Sequence, residues 1–224
     1  LYITRLLGFF TWILLLYTLL RPSIFHENNL TKSISEAEEL LLKYGSSSND
    51  YFKVQPDKQL WFSSKYQAFT SFRTANYFAV VLEEPVCRTD NKLEVINEFE
   101  SFCHSKNLKP VYYRVDEESL PLYHSLSKKS IKIGQEAVVD VTNFTLEGKD
   151  RKSLRNTLNS LEKKGFSTLI IQPPHSDEFL SELKFVSDEW LTKFDKKEMV
   201  FSQGMYDANA LRYQPIITVV DDNE

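Results

Sequence analysis

The sequence predicts an α+β fold in which mixed sheets are covered by amphipathic helices and the pattern of elements is laid out twice. Three observations predict it. Short runs rich in β-branched and aromatic residues, parted by turn-forming pairs, crowd into residues 51–82. Segments of helical and strand period then alternate as far as Val141. Finally, a strongly basic helix between Lys149 and Lys164 is followed by a fresh strand and helix.

Residues 6–20, LLGFFTWILLLYTLL, carry no charge. As a helix they cover about 22 Å at ~1.5 Å per residue, short of a ~30 Å hydrocarbon core, and Leu1–Arg5 make up the length. The run reads as the end of a transmembrane helix, residues 1–21, in a fragment of a longer protein. A signal peptide is the alternative, but a basic start and a small-residue cleavage site before Arg21-Pro22 are missing. Arg21 and Lys32 after the run place the following part in the cytoplasm by the positive-inside rule.

A polar linker, residues 22–32, leads to Ser33-x-x-Glu36, a capping-box pattern that predicts a helix start. Ala37, Leu40, Leu41 and Tyr44 give that helix an apolar face, and Gly45 ends it. Four strands are expected at Tyr51–Val54, Gln59–Ser63, Ala68–Arg73 and Tyr77–Leu82, with turns at Pro56-Asp57, Ser64-Lys65 and Ala75-Asn76. That is an antiparallel meander. Leu93, Ile96, Phe99 and Cys103 mark an amphipathic helix, Lys109–Val115 a strand, Glu117–Ser125 a short helix and Ile131–Val141 a long strand. Beyond the basic helix, Phe166–Ile171 reads as a strand stopped by Pro173-Pro174. A helix capped by Ser176 is expected to bury Leu180, Leu183, Val186 and Trp190. Phe201–Gly204 and Asp207–Leu211 precede a last strand from Pro215.

The basic helix is the most informative segment. Lys149, Arg151, Lys152, Arg155, Lys163 and Lys164 face only Asp150 and Glu162, a net of +4 in a chain of net −4, so the remainder carries −8. Leu154, Leu158 and Leu161 recur at i, i+4 and i+7, an expected buried stripe. Lys152, Arg155, Asn156, Asn159 and Lys163 fall on the other side. Segregation of sign in an acidic chain points this face at a polyanion, while a solvated helix face is the plainer reading. Arg151 and Arg155, four residues apart, are spaced to grip adjacent phosphates. Asn156 and Asn159 offer neutral hydrogen bonds.

Cys87 and Cys103 are the only cysteines. Neither has a partner at metal-ligand spacing, and in a reducing compartment both stay thiols. The four histidines are scattered, and no Gly-rich phosphate loop, zinc spacing or G-x-S-x-G elbow occurs. No metal or cofactor is expected.

Several motifs in order then match one pattern. They run from Tyr44-Gly45, Tyr51-Phe52, Ala79-Val80-Val81-Leu82-x-x-Pro85-Val86 and Pro110-Val111-Tyr112-Tyr113 to Lys132-Ile133-Gly134-x-Glu136-Ala137. Phe144-Thr145-Leu146-x-Gly148-Lys149, Leu154-Arg155-Asn156 and Leu161-Glu162-Lys163 follow. Pro173-Pro174, Ser187-Asp188-Glu189-Trp190-Leu191 and Phe201-Ser202-x-Gly204 complete the series. From about residue 36 onward the chain resembles the C-terminal catalytic region of bacterial phosphatidylglycerol lysyltransferases, the multiple peptide resistance factor family. It departs from the family at Leu82-Glu83-Glu84-Pro85, where Leu-Gly-Asp-Pro is usual. It departs again at Ser127-Lys128-Lys129-Ser130, where a Gly-aromatic pair is frequent.

The resemblance implies tandem GNAT-like acyltransferase folds, residues 33–147 and an incomplete 166–224, joined by the basic helix at 148–165. It implies an upstream transmembrane flippase-like domain in the same bacterial cell-membrane protein. It also implies transfer of lysine or alanine from aminoacyl-tRNA to a glycerol hydroxyl of phosphatidylglycerol, with resistance to cationic antimicrobial peptides as the outcome. Lys149, Arg151, Lys152, Arg155, Asn159 and Lys163 are then the expected tRNA contacts. Asp188 and Glu189 are the leading carboxylates for a base or for holding the substrate ammonium. Adjacent helix positions diverge by about 100°, so the two cannot share one role. Asp207 is a third candidate and reads equally as a helix cap. Ser202 and Gly204 are expected to shape a substrate loop, and turn structure alone explains them equally well. Two rivals stand beside this reading: a Fem-like aminoacyl-tRNA-dependent transferase acting on a peptidoglycan precursor, and a non-catalytic scaffold docking anionic lipid headgroups.

Overall fold

The computed structural model describes residues 2–20, 30–198 and 200–221. The chain divides into two compact units, Leu1–Ser130 with Met199–Gly204, and Ile131–Glu198 with Met205–Glu224. The expected linker falls largely outside the described residues.

The apolar run is helical, α1 at Tyr2–Leu20, with its side chains from Leu6 to Tyr17 exposed. Among the described residues, no helix is long and apolar enough to cross a membrane. The next helix, α2, spans Leu30–Tyr44 and so begins before the capping-box pattern, leaving Ser33 inside it and buried. Gly45 follows α2, its amide donating to the Leu41 carbonyl at 2.8 Å, and a Cβ there would stand 2.5 Å from that oxygen, so the position suits glycine.

The expected strand at Tyr51–Val54 is a helical turn, α3, Asp50–Lys53. Local polar geometry outweighs the β preference of Tyr51 and Phe52. Asp50 Oδ2 accepts from the Ser46 and Ser47 amides at 2.7 and 2.9 Å, and Lys53 pairs with Asp50 at 2.8 Å.

Four strands follow: β1 Gln59–Phe62, β2 Phe69–Ala75, β3 Phe78–Leu82 and β4 Lys109–Tyr113. They lie in the order β1-β2-β3-β4, antiparallel through β3, with β4 parallel to β3. The β2–β3 turn places Asn76 at φ 53, a conformation Asn tolerates well. A parallel neighbour requires a crossover, supplied by α4, Lys92–Ser105, across one face of the sheet.

Strand alternation sends residues to opposite faces, and both faces are filled. Phe72, Ala79 and Val81 pack with Phe99, Cys103 and Leu108, beside Trp61, Phe102 and Tyr112. On the other face Phe69 and Val86 pack with Ala37 and Leu40 of α2, beside Leu60 and Phe62. A short helix, α5 at Leu120–Ser125, buries Tyr123.

In the second unit the expected long strand at Ile131–Val141 is irregular. Ile131, Val138 and Val141 are 85, 89 and 82 % exposed. Strand propensity supplies no partner, and without one the backbone groups stay with water. The basic helix, α6, spans Lys152–Glu162. A two-stranded antiparallel sheet pairs β5, Ser167–Ile171, with β6, Ile216–Val220.

Helix α7, Asp177–Lys193, starts as expected: the Ser176 hydroxyl accepts from the Phe179 amide. Its apolar face is less covered than expected. Leu180 is buried, whereas Val186 and Trp190 are 62 and 50 % exposed. Trp190 stacks near Phe194 beneath the Lys196 ammonium rather than entering a core. Lastly, α8 occupies Ala208–Leu211.

Candidate functional site

The turn that launches α6 is built by its own cations. Gly148 takes φ +86 with open space around it, and Arg155 Nη1 donates to the Leu146 and Gly148 carbonyls, the latter at 2.8 Å. The Arg151 guanidinium lies 5.2 Å from the Phe144 ring centroid. Part of each guanidinium is therefore spent on local structure. No acidic side chain among the described residues pairs with Lys149, Lys152, Lys163 or Lys164, and all four are exposed. Asn156 and Asn159 are exposed on the same helix. Leu154, Leu158 and Leu161 do share a face, but at 46, 44 and 42 % exposure they are not the buried stripe expected.

The three candidate carboxylates are engaged separately. Asp188 pairs with Lys184 one helical turn away, and both side chains are half exposed. Glu189 is exposed one position further round α7. Asp207 Oδ1 accepts from the Asn209 and Ala210 amides at 2.9 and 3.3 Å, which makes it the N-cap of α8. The described contacts do not draw these acids into one cluster.

Ser202 and Gly204 belong to a segment that packs on the first unit. A Cβ at Gly204 would stand 2.8 Å from a Phe52 ring carbon and 3.2 Å from Gln55 Nε2, and the backbone there has φ +76. Phe201 packs against Tyr113 with ring centroids 6.0 Å apart.

Sequence reasoning missed a buried polar network at the end of β3. Glu83, 7 % exposed, takes φ +59 in the Leu82-Glu83-Glu84-Pro85 run. Its Oε1 accepts from Asn49 Nδ2 at 2.7 Å and from the Ser47 hydroxyl at 3.0 Å, while Oε2 lies 3.3 Å from Lys53 Nζ. Arg114 in turn donates to Asn49 Oδ1, and Lys92 pairs with Glu84 at 2.8 Å. The signal was an acidic pair, Glu83-Glu84, directly after an apolar strand: a carboxylate there needs partners to offset its burial.

Both cysteines are buried free thiols. Burial pushes Cys87 up to about 11 and Cys103 up to about 12. Among the described residues no group of His, Cys, Asp and Glu is arranged to hold a metal ion.

A mixed sheet between two helices, followed by a basic helix and a second α/β unit, is a fold with solved counterparts. The L-PGS structure from Bacillus licheniformis matches it with TM-score 0.76 at 34% identity, over 84% of this chain and 60% of that one. A C-terminal domain structure from Agrobacterium fabrum matches with TM-score 0.78 at 20% identity, over 87% and 61%, a likeness of fold alone. The family model described as phosphatidylglycerol lysyltransferase, C-terminal, matches residues 38–224, and the chain belongs to that family. Among its relatives, a phosphatidylglycerol lysyltransferase from Staphylococcus xylosus is 29% identical over 99% of this chain. One from Staphylococcus aureus (strain MRSA252) is 32% identical over 89%. The chain spans 27% and 24% of those two proteins, about a quarter of their length.

Proposed function

We propose that this chain is part of an aminoacyltransferase that moves a lysyl group from aminoacyl-tRNA to a glycerol hydroxyl of phosphatidylglycerol. The observation that carries the reading is the family match over residues 38–224. The exposed lysines of the α6 segment support the donor: an acidic chain concentrates positive charge where an RNA backbone would bring phosphates. Lys149, Lys152 and Lys163 would carry most of this contact, with Asn159 adding a neutral hydrogen bond. Arg151 and Arg155 would contribute the guanidinium edges left after their local contacts.

The reaction exchanges one ester for another. The lipid hydroxyl oxygen attacks the aminoacyl carbonyl carbon, its proton passes to a base, and the tRNA ribose oxygen leaves with a proton. Holding the two reactants together supplies much of the acceleration. A carboxylate such as Asp188 or Glu189 would take the proton or hold the substrate ammonium. The enzyme would work at the cytoplasmic face of the bacterial membrane, beneath an upstream multi-helix domain, and its cationic lipid product would repel cationic antimicrobial peptides.

The test is lipid extraction from cells expressing the longer protein that carries this chain. A new ninhydrin-positive, positively charged derivative of phosphatidylglycerol is expected, labelled when cells are fed radioactive lysine. Label in peptidoglycan instead would favour the Fem-like rival, and label in neither would refute transfer.

A further inference from the structure

The segment Val200–Gly204 lies over the turn Gln55–Lys58 of the first unit under conditions that favour leaving it. Lys58 has no exposed side-chain surface, and Asp57, its partner at 2.6 Å, is 7 % exposed. The Phe201 ring sits over the Lys58 ammonium at 5.5 Å, and Gly204 rests against Phe52 and Gln55. What the segment covers is poorly satisfied. Asp57 Oδ2 and Gln55 Oε1 are buried and find no donor among the described residues. The Lys58 pKa is lowered on balance, chiefly by burial, which Asp57 opposes and the Arg73 charge assists. The segment itself bears a cost, since Phe201 has φ +83, a left-handed backbone that an aromatic residue seldom adopts.

We propose that Val200–Gly204 is a reversible cover over the Gln55–Lys58 turn, closed here and able to lift as a unit. Lifting lets Phe201 relax to an ordinary backbone conformation and lets water reach the Asp57 and Gln55 acceptors and the Lys58 ammonium. Closing regains the ring contacts of Phe201 with Tyr113 and Lys58 and the seat of Gly204 on Phe52. Each state thus keeps something the other gives up, the condition for a two-state equilibrium. Ser202 and Gly204 ride on the cover, so its motion presents or withdraws the loop expected to meet substrate. The inference does not depend on which group is transferred.

Lysine acetylation followed by peptide mass spectrometry tests it on the intact chain. Lys53 is the internal standard: its side chain is 5 % exposed and it is held by Asp50 at 2.8 Å and Glu83 at 3.3 Å. With an acetyl N-hydroxysuccinimide ester, Lys58 is expected to label at least tenfold faster than Lys53. The substitution Phe201→Ala should speed Lys58 a further several-fold and leave Lys53 unchanged. Should that variant not fold, Gly204→Ala serves in its place, because its Cβ would meet Phe52 at 2.8 Å and force the cover up. Equal labelling of Lys58 and Lys53, or a Lys58 rate indifferent to both substitutions, would overturn the proposal.

Discussion

Glu83 shows how one residue can carry both a cost and its compensation. A non-glycine residue at φ +59 costs roughly 1–2 kcal/mol relative to an ordinary backbone. The carboxylate offsets this by giving Lys53 a second anion beside Asp50 and by collecting Asn49 and Ser47. Glu83→Gln keeps the shape and removes the charge, leaving a buried ammonium with one partner fewer. It is expected to destabilise the first unit by about 1–3 kcal/mol, less than a fully broken buried pair because Asp50 remains. Urea unfolding followed by the fluorescence of Trp61, in a background with Trp12 and Trp190 replaced by Phe, reads this directly. A midpoint unchanged from the parent would show that the carboxylate adds nothing to stability. Arg155 teaches a related lesson: the sequence marks it as a phosphate ligand, yet its Nη1 closes the turn that starts its own helix.

At the scale of elements, α6 and its flanks, Lys149–Lys164, combine four exposed lysines with an apolar face that is itself half exposed. Reversing Lys149, Lys152 and Lys163 to Glu together should leave helix content unchanged by circular dichroism, since none of the three is paired with an acid among the described residues. RNA affinity should fall by at least tenfold. Its dependence on salt should flatten by up to about 3 in log–log slope, about 1 for each lost phosphate contact. Filter binding of a tRNA across a salt series measures both, and an unaltered slope would remove these lysines from the RNA contact. Elements also show where local preference fails. Tyr51–Val54 and Ile131–Val141 have strand-like composition, but Asp50 recruits the first into a helical turn and the second finds no neighbouring strand. By contrast, the Ser176 cap and the Asn76 turn were legible because each depends on residues within a few positions.

For the molecule as a whole, the two thiols predict a stability change with pH. Both sit in the first unit's core, and burial raises Cys87 and Cys103 from 9.0 to about 11 and about 12. An acid whose folded pKa is raised favours the folded state fully below its unfolded pKa, and that advantage is lost as pH climbs toward the folded value. The urea midpoint is therefore expected to fall from about pH 9 upward. Tyr112 and Tyr123, raised chiefly by burial, add in the same direction from about pH 10. In the double variant Cys87→Ala and Cys103→Ala the decline between pH 9 and 10 should be shallower than in the parent. Equal slopes would show that the thiols ionise freely in the folded chain.

What the sequence by itself determined is the order and kind of most elements, the stretch of charge at Lys149–Lys164 and the family. Each of these rests on local period, capping chemistry or a string of motifs. Tertiary structure alone decided which strands find neighbours and where the acids are spent. It buried Glu83 and Lys53 together, thirty positions apart in the chain. It also laid Phe201 over Lys58. The physical reason is distance along the chain: a hydrogen bond or ion pair between residues tens or more than a hundred positions apart exists only once the sheet has brought them together. No local pattern encodes which distant side chain will be there to meet it.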